Sequence, residues 1–576
     1  MAVSTALLVH PSARQVEYAA SGAELVCESL LAHGVDTVFG YPGGAALPLY
    51  HRLTAFPLRH VLVRHEQNAA HAADGYARAS GRVGVCMATS GPGATNLVTG
   101  LATAFMDCVP LVALTGQVAT GVIGTQAFQE VDIVSIAKPI TKGAFQARTA
   151  DEVPELIAEA FRLAQSGRPG PVLVDLPRDV QLARSSFRGP LPVGRAPAPA
   201  PADTALLASV EHVAELLARA ERPVLVGGHG VVMAGAYAEL WELAERSGAP
   251  VATTLLGLSS FPEWHPQAIG MVGMHGTVAA NLALDRSDLV LGVGMRFDDR
   301  VVGRAKDFAP HATVVHVDVD PAAFGRVVRA DVAVLGDARL VLQLLAERAS
   351  RGDRPAWTAQ LRGWREGHRL CGVDRQSQVP TSPQVIQAIR DATDGQAVVV
   401  ADVGQHQMFA ALHFGYSRPN SFFTTGGLGT MGYAVPAAMG VKLARPDEPV
   451  WAVVGDGGFQ MSTPELTTLA SERVDLKIAV VNNGYLGMVR QWQELFYEGN
   501  YSHSRLAQPD FARLAEAHGC VGIRVTRAAD VRPAIEAARA TRGPVVLDFA
   551  VVEEETVYPM IPPGASLGEM RCADPL

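Results

Sequence analysis

The sequence has few charged residues: Asp, Glu, Lys and Arg make up 18% of its 576 residues, against about 25% in an average globular protein. Since 48% of the residues are hydrophobic, disorder does not explain any large part of the chain. At about 100 to 200 residues per domain, the length predicts three or four domains, each able to bury its own core.

The sequence also lacks an excess of basic charge. Its 48 Lys and Arg residues against 57 Asp and Glu residues leave a net charge of −9, which gives no general attraction to nucleic acid or anionic membranes. No uninterrupted apolar run approaches the roughly 20 residues of a membrane-spanning helix. We therefore expect a small-molecule ligand, and neither nucleic acid nor a membrane as partner.

Paired cysteines and a basic N-terminal segment are absent as well. The six cysteines, Cys371 among them, lie far apart without a CxxC pair, so neither a disulfide framework nor a zinc site is predicted. Residues 1–15 have no basic segment ahead of their short apolar run, which a secretory signal would need. Together these absences predict a cytoplasmic protein.

What the sequence does have is a regular alternation of β-branched runs with Ala- and Leu-rich helical segments. The continuous apolar runs predict strands buried on both faces of parallel sheets, and hence an α/β fold of three doubly wound parallel-sheet domains. The predicted strands are 60–65, 170–177, 222–228, 287–294, 312–320, 396–404, 449–457, 476–484 and 543–551.

Two irregular stretches divide the chain. The stretch 189–204 is rich in Ala and Pro, and 351–382 is a less distinct second linker. The predicted domains are therefore 15–188, 205–350 and 383–555, followed by a C-terminal tail at 556–576. The first and last domains both end with Gly-Pro ahead of a final strand, which suggests that they are related to each other.

The charge shortage is concentrated in two stretches. Asp107 is the only charged residue in 83–129, and Arg418 is the only one in 403–441. We expect both stretches to form a buried interface or a closed site.

Ligands of parallel sheets bind beyond the carboxyl ends of the strands, so polar residues at those ends are candidate site residues. Gly455-Asp456-Gly457 follows one predicted strand and Asn483 follows the next. Either feature alone is more often a turn or a helix cap. Together, a carboxylate and an amide oxygen favour Mg²⁺ held against a diphosphate, which the flanking glycines would let approach the backbone.

This pairing resembles the signature of thiamine diphosphate enzymes. Six blocks, spread over about residues 20–570, look like the large, catalytic subunit of acetohydroxyacid synthase. They are RHEQNAAHAADGYARASGRVGVCMATSGPGATNLVTGLATAFMDCVPLVALTGQV, GMHGTV, RFDDRV, VGQHQM, GGLGTMGY and MVRQWQELFYEGNYS. The resemblance implies pyrimidine-binding, central FAD-binding and diphosphate-binding domains, in that order.

The resemblance also assigns the cofactor residues. Glu66, otherwise an ordinary helix-start carboxylate, matches the Glu that hydrogen-bonds the aminopyrimidine and promotes removal of the thiazolium C2 proton. Met431, otherwise a core filler, matches the apolar wedge between the two cofactor rings. The implied thiamine diphosphate contacts are Glu66, Gln129, Gln405, His406, Gly429, Met431, Gly457, Gly458 and Met488. The implied Mg²⁺ ligands are Asp456, Asn483 and the Tyr485 carbonyl.

A flavin site is implied in the central domain. A lone GxG at a strand end is weak evidence for a dinucleotide, and the flavin of this family has no net redox role. The implied FAD contacts are Arg168, Thr254, Val272, Gly273, Met274, His275, Gly294, Arg296, Asp298, Asp318 and Asp337.

Substrate selection is expected from Arg300, Trp492, Gln117 and Arg178, with Gln117 also predicted to be catalytic. A guanidinium can pair with the carboxylate of a 2-ketoacid, and an indole can contact its alkyl tail. Without the resemblance, surface ion pairing and core packing would be preferred for Arg300 and Trp492. The chain departs from the family pattern at Gln126, Arg178, Gly458 and Asn68, which leaves the choice of acceptor open.

The implied reaction joins pyruvate, after loss of CO₂, to a second 2-ketoacid. The products are 2-acetolactate or 2-aceto-2-hydroxybutyrate, at the first common step of branched-chain amino-acid biosynthesis. A homodimer is the expected minimum unit, with a higher homo-oligomer and a small regulatory subunit left open. The alternative is a paralogue with another ketoacid acceptor; a pyruvate oxidase is less favoured, and so is a non-catalytic scaffold.

Overall fold

The computed structural model describes residues 14–197, 201–350, 352–368, 370 and 377–573. Three parts of the predicted organisation fall partly outside this description. They are residues 1–13 of the N-terminal stretch 1–15, parts of both linkers (198–200, 351, 369 and 371–376, with Cys371), and the end of the tail (574–576). The described chain contains three six-stranded sheets with flanking helices. The predicted α/β fold is confirmed.

The first sheet is built from short Val-, Leu- and Ala-rich strands, and its two longest strands, β5 and β7, are buried at every position. Its six strands are all parallel, in the order β3-β2-β4-β5-β7-β6, while β1 and β8 form a separate antiparallel pair. The strands are β1 (Gln15–Val16), β2 (Thr37–Gly40), β3 (Arg59–Leu62), β4 (Gly84–Ala88), β5 (Leu111–Gln117), β6 (Gly143–Gln146), β7 (Pro171–Pro177) and β8 (Gly189–Pro190). The helices are α1 (Gly22–Ala32), α2 (Leu47–Leu53), α3 (Glu66–Ser80), α4 (Pro92–Asn96), α5 (Val98–Asp107), α6 (Ile133–Ala137), α7 (Val153–Gln165) and α8 (Arg178–Leu182).

The central sheet has the parallel order β11-β10-β9-β12-β13-β14. Its strands are β9 (Pro223–Gly227), β10 (Val251–Thr253), β11 (Ala268–Met271), β12 (Leu289–Val293), β13 (Thr313–Asp318) and β14 (Val332–Leu335). The helices are α9 (Thr204–Arg219), α10 (His229–Met233), α11 (Tyr237–Ser247), α12 (Val278–Arg286), α13 (Asp299–Val302), α14 (Ala338–Arg348) and the following α15 (Pro355–Gly367). Numbered within the sheet, this is the order 3-2-1-4-5-6 of dinucleotide-binding folds.

The third sheet has the parallel order β16-β15-β17-β18-β20-β19. Its strands are β15 (Val398–Ala401), β16 (Phe422–Phe423), β17 (Val450–Gly455), β18 (Lys477–Asn482), β19 (Val521–Val525) and β20 (Val545–Ala550). The helices are α16 (Ser382–Ala392), α17 (Gln405–His413), α18 (Ala434–Ala444), α19 (Asp456–Ser462), α20 (Glu465–Ser471), α21 (Gly487–Phe496), α22 (Phe511–Ala517) and α23 (Val531–Ala540). Within the sheet the order is 2-1-3-4-6-5, the same as in the first sheet, as related domains would have.

The first and third domains of the chain pack together through α3 and α18. A Cβ added at Gly75 would lie 2.0 Å from the Ala437 carbonyl oxygen, and one at Gly440 would lie 1.9 Å from the Ala72 carbonyl oxygen. The two helix backbones therefore touch where glycine leaves room. This contact sets how the N-terminal end of α3 is held relative to the third sheet.

The two stretches of low charge are mostly buried within one chain. The longest exceptions are residues 118–129 and 426–431, which are exposed or half-buried; the Phe128 side chain is 87% exposed. None of the helices in the described residues is both long and apolar enough to cross a membrane.

Candidate cofactor-binding and active site

A cavity of about 1120 Å³ is lined by residues of all three domains. It lies at two strand-order reversals, which is where doubly wound sheets bind ligands. His229 and Gly294 follow β9 and β12 of the central sheet, and Gln405 and Asp456 follow β15 and β17 of the third. The two halves of the cavity thus have the positions expected for two different ligands.

The half formed by the third domain contains the predicted diphosphate and metal residues. Those that line the cavity are Gln405, His406, Gly429, Met431, Asp456, Gly457, Gly458, Asn483, Tyr485 and Met488. Eight of them follow β15, β17 or β18 or begin the next helix, because these strands end at this edge of the sheet. Gly429 and Met431 lie in the segment between β16 and α18.

Asp456 is buried beside the cavity without a basic side chain to balance its charge. Burial raises the pKa of its carboxyl to about 7, and backbone N–H groups and the Gln508 amide offset this only in part. Gln508 Nε2 lies 2.5 Å from Asp456 Oδ2, and Asn483 donates to Gln405 Oε1 over 3.3 Å. A divalent cation at Asp456 would supply the missing positive charge, so these oxygen donors fit Mg²⁺. The described residues contain no cluster of three or more His, Cys, Asp or Glu side chains suited to another kind of metal site.

His406 offers an unpaired polar atom to the same half of the cavity. Its ring is 8% exposed, and its Nε2 has no hydrogen-bond partner in the described chain. Burial lowers the pKa of the imidazole to about 3, so the ring is neutral at physiological pH. Gly455 provides its space, because a Cβ there would lie 2.7 Å from His406 Nδ1. An unsatisfied buried nitrogen of this kind fits a ligand group such as a phosphate oxygen.

The half formed by the central domain contains the predicted flavin residues. Those that line it are Arg168, Thr254, Val272, Met274, His275, Gly294, Arg296, Asp298, Asp318 and Asp337. Gly273 does not line it: a Cβ there would lie 2.3 Å from the Arg300 carbonyl oxygen, so this glycine permits close chain packing instead. His275 Nδ1 lies 3.1 Å from the Pro559 carbonyl oxygen, while its buried Nε2 is unpartnered in the described chain and fits a ligand acceptor or donor.

The predicted substrate residues Arg300 and Trp492 are brought together, although they lie in different domains. Both line the cavity, and the Arg300 guanidinium carbon lies 5.9 Å from the centre of the Trp492 ring. The Arg300 side chain is 58% exposed; its Nε lies 3.7 Å from Asp299 Oδ2, and its Nη1 lies 3.6 Å from Met274 Sδ. Arg178, in contrast, is an exposed residue at the start of α8 and does not line the cavity.

Glu66, Gln117 and Gln129 also lie away from the cavity. Glu66 begins α3, is 9% exposed, and accepts a hydrogen bond of 2.9 Å from Asn96 Nδ2. Backbone N–H groups just before it bind Glu465 of α20. Glu66 therefore contacts residues of its own domain and does not line the cavity with the chain's own Met431 and Asp456.

Gln117 is engaged inside its own domain. Its Nε2 donates to the Val131 carbonyl oxygen (2.8 Å) and to Asp175 Oδ2 (3.1 Å), and its Oε1 accepts from Val118 N (2.9 Å). Gln129, with φ of +61°, packs against Gly91, where a Cβ would lie 2.8 Å from its carbonyl oxygen.

Three residues in or beside the cavity were not predicted as site residues from the sequence. Asp107 and Cys108 reach it from the end of α5, and Cys108 Sγ accepts from Arg168 Nε at 2.9 Å. The isolated charge of Asp107 in an otherwise uncharged stretch was a usable signal. Gln508 had none, since it lies on an irregular segment 52 residues beyond the carboxylate it binds.

A diphosphate- and metal-compatible pocket at the end of the third sheet, with a carboxylate on a first domain of the same topology, defines a thiamine diphosphate-dependent enzyme. Family models agree over all three domains: "Thiamine pyrophosphate enzyme, N-terminal TPP binding domain" matches residues 20–136, the "central domain" 210–345, and the "C-terminal TPP binding domain" 402–549.

Full-length relatives narrow the class. The chain is 49% identical to the acetolactate synthase large subunit of Corynebacterium glutamicum over 566 residues, which covers 96% of this chain and 90% of that protein. It is 50% identical to the acetolactate synthase large subunit IlvB1 of Mycobacterium tuberculosis (96% and 91% covered). Identity to the acetolactate synthase isozyme 2 large subunit of Escherichia coli K12 is 45% (96% and 99% covered). The chain belongs to the acetolactate synthase large-subunit family, which confirms the resemblance seen in the sequence.

Proposed function

We propose that the chain decarboxylates pyruvate and joins the remaining two-carbon unit to a second 2-ketoacid. With pyruvate as acceptor the product is 2-acetolactate, and with 2-ketobutyrate it is 2-aceto-2-hydroxybutyrate, at the first common step of branched-chain amino-acid biosynthesis. The observation that carries this proposal is the cavity in which Met431, Asp456, Arg300 and Trp492 come together, in a chain of this family.

We further propose that two copies of the chain complete each active site. Glu66 does not line the cavity that Met431 and Asp456 line, which supports a pyrimidine contact supplied by another chain. Residues 118–129 are exposed or half-buried, although the stretch has no charge; Phe128 is 87% exposed. Such an apolar surface fits a second copy. A homodimer is then the smallest active unit, and higher oligomers built from it are compatible.

Mg²⁺ and FAD are proposed as the other two bound groups. Asp456, Asn483 and the Tyr485 carbonyl would hold Mg²⁺ against the cofactor diphosphate, with His406 and Gln405 beside the phosphates. His275, Gly294 and Arg168 would hold FAD among the central-domain residues given above. Thiamine diphosphate, when bound, supplies the stabilisation of negative charge on carbon that loss of CO₂ from a 2-ketoacid requires.

Side chains of the protein would transfer the proton, bind the substrate and exclude water. Glu66 would hold a proton in exchange with the pyrimidine ring of the cofactor. The Arg300 guanidinium would pair with the carboxylate of the incoming ketoacid, and the Trp492 indole would contact its alkyl tail. The apolar walls of the cavity would exclude water from the reacting carbon.

Cytoplasmic location and a small regulatory subunit are proposed in turn. The C. glutamicum and E. coli relatives are named as large subunits, and that name supports a smaller partner for this chain as well.

The test is product analysis with pyruvate and a panel of second ketoacids, in the presence of thiamine diphosphate, Mg²⁺ and FAD. We expect acetohydroxyacids from pyruvate and from 2-ketobutyrate. A chain that made neither, but joined pyruvate to another ketoacid, would support the paralogue hypothesis. Gln126 and Arg178 motivate that second candidate, because both depart from the family pattern and both are exposed. Oxygen uptake equal to pyruvate loss would instead indicate an oxidase.

A further inference from the structure

The segment that carries Met431 is not held by backbone–backbone hydrogen bonds in the described chain. Residues 425–432, here called the Met431 loop, connect β16 to α18 and include four glycines. Gly429 and Gly432 adopt φ of +72° and +85°, a region that favours glycine. No residue of the loop forms a backbone–backbone hydrogen bond with any described residue. A glycine-rich loop without such bonds has many accessible conformations, so side chains from outside must determine where Met431 lies.

Two side-chain carboxyl groups accept hydrogen bonds from backbone N–H groups near the two ends of the loop. Asp107 Oδ1 accepts a hydrogen bond of 2.7 Å from the Gly427 N–H. Asp402 accepts from the Gly432 N–H with both oxygens, at 3.0 and 3.1 Å. Each carboxyl group thus provides a fixed acceptor for a loop N–H group, and the two bracket Met431.

Both carboxylates are themselves held rigidly. Asp107 is 1% exposed and lies 3.2 Å from Arg78 Nη2, a guanidinium that also pairs with Asp74 at 2.8 Å. Asp402 is 0% exposed and accepts from the Val403 N–H at 2.7 Å. The loop is thus tied to fixed points in two different domains, since Asp107 ends α5 of the first domain and Asp402 follows β15 of the third.

A third contact joins the loop to the first domain between these two points. The hydroxyl oxygens of Thr103 and Thr430 are 2.7 Å apart. Gly427 allows the close approach of α5, because a Cβ there would lie 2.7 Å from Met106 Cβ and 2.8 Å from Asp107 Oδ1.

We infer that Asp107 and Asp402 are positioning residues that together set the Met431 loop and the depth to which Met431 enters the cavity. The inference rests on the proposed function, in which Met431 separates the two rings of thiamine diphosphate. In this arrangement the first domain has two roles. Its Asp107 positions Met431 of the same chain, and its Glu66 belongs to the site of another copy.

The first test is amide hydrogen exchange, followed by mass spectrometry, on the full-length protein without cofactor. In Asp107→Ala and in Asp402→Ala, peptides covering 425–432 should exchange about tenfold faster than in the wild type, because each variant frees a loop N–H group from its carboxyl acceptor. The matched control is Asp74→Asn, which removes the other negative charge beside Arg78 but keeps an oxygen to accept from the Tyr433 hydroxyl; its loop peptide should exchange as in the wild type. Asp107→Asn and Asp402→Asn, which keep one acceptor oxygen, should restore part of the protection.

The second test is the exchange rate of the C2 proton of thiamine diphosphate added with Mg²⁺. We expect about a tenfold drop in both Ala variants, with the cofactor Kd changed less than about threefold, because the wedge and not the diphosphate contacts is displaced. If the Ala variants do not fold, Thr103→Val removes the third contact alone and should raise loop exchange by a smaller factor.

Unchanged loop exchange in Asp107→Ala, Asp402→Ala and Thr103→Val would overturn the inference. Equal loosening in Asp74→Asn would also overturn it, because the effect would then come from Arg78. Loop protection is measured without substrate, so its outcome is separate from the proposed function, which fails if the wild type makes no acetohydroxyacid.

Discussion

Mixing two inactive variants should restore activity if two chains build each active site. Glu66→Gln damages the first-domain side of a site, and Asp456→Asn damages the cavity side. Either variant alone should lose about 10²- to 10⁴-fold in turnover, the usual contribution of a positioned proton-transfer group or of a metal. Both should keep wild-type circular dichroism, since Glu66 makes one described side-chain hydrogen bond, with Asn96.

The recovered activity follows from where these residues lie. Glu66 is absent from the lining of the cavity that contains Asp456, so in a mixed dimer one site receives both damaged groups and the other receives neither. Random exchange of subunits makes about half of the dimers mixed, and half of their sites intact, so activity should return to about one quarter of wild type. The assay is acetohydroxyacid formation after co-refolding or co-expression of the two variants. No recovery, with mixed dimers demonstrated by tagged subunits, would refute a site shared between chains.

Three further predictions concern the metal, the packing and a buried acid. Asp456→Asn should raise the Mg²⁺ concentration needed for half-maximal thiamine diphosphate binding by at least about tenfold, measured by tryptophan fluorescence; an unchanged requirement would contradict its role as a ligand. Gly75→Ala should destabilise the fold by about 1–3 kcal/mol in urea unfolding, because its methyl group would lie 2.0 Å from the Ala437 carbonyl oxygen, whereas the exposed Gly363→Ala, with no neighbour within 4 Å, should not. Burial raises the pKa of Asp175 from 3.8 to about 6, so the folded state binds this proton more tightly than the unfolded state. The stability of the wild type relative to Asp175→Asn should therefore fall by about 2 kcal/mol between pH 4 and pH 7.5; a difference that rises with pH would contradict the assigned burial.

Strands could be predicted from the sequence because each leaves a local pattern. The run 476–484 predicted a strand, and β18 is Lys477–Asn482. The runs 222–228 and 449–457 correspond to β9 and β17 in the same way. The two-residue strand β16 has no such pattern; it forms because β15 offers it an open edge, which no local sequence can indicate.

The candidate site was predictable in composition but not in arrangement. Asp456 and Asn483 follow neighbouring strands, so their proximity follows from parallel topology. Gln508 approaches Asp456 only because an irregular segment folds back across the strand end. The position of Glu66 outside the cavity could not be predicted from residue spacing either. It depends on the packing of α3 against α18, which joins residues far apart in the chain.

The central claim is tested most directly by the stoichiometry of the reaction with pyruvate alone. The purified chain, supplied with thiamine diphosphate, Mg²⁺, FAD and carbon-13-labelled pyruvate, would be followed by NMR with dissolved oxygen monitored. If the chain is an acetolactate synthase, two molecules of pyruvate disappear for each molecule of 2-acetolactate and of CO₂ formed, without oxygen consumption. Acetaldehyde or acetate as the sole organic product, or no turnover in the presence of all three cofactors, would contradict it.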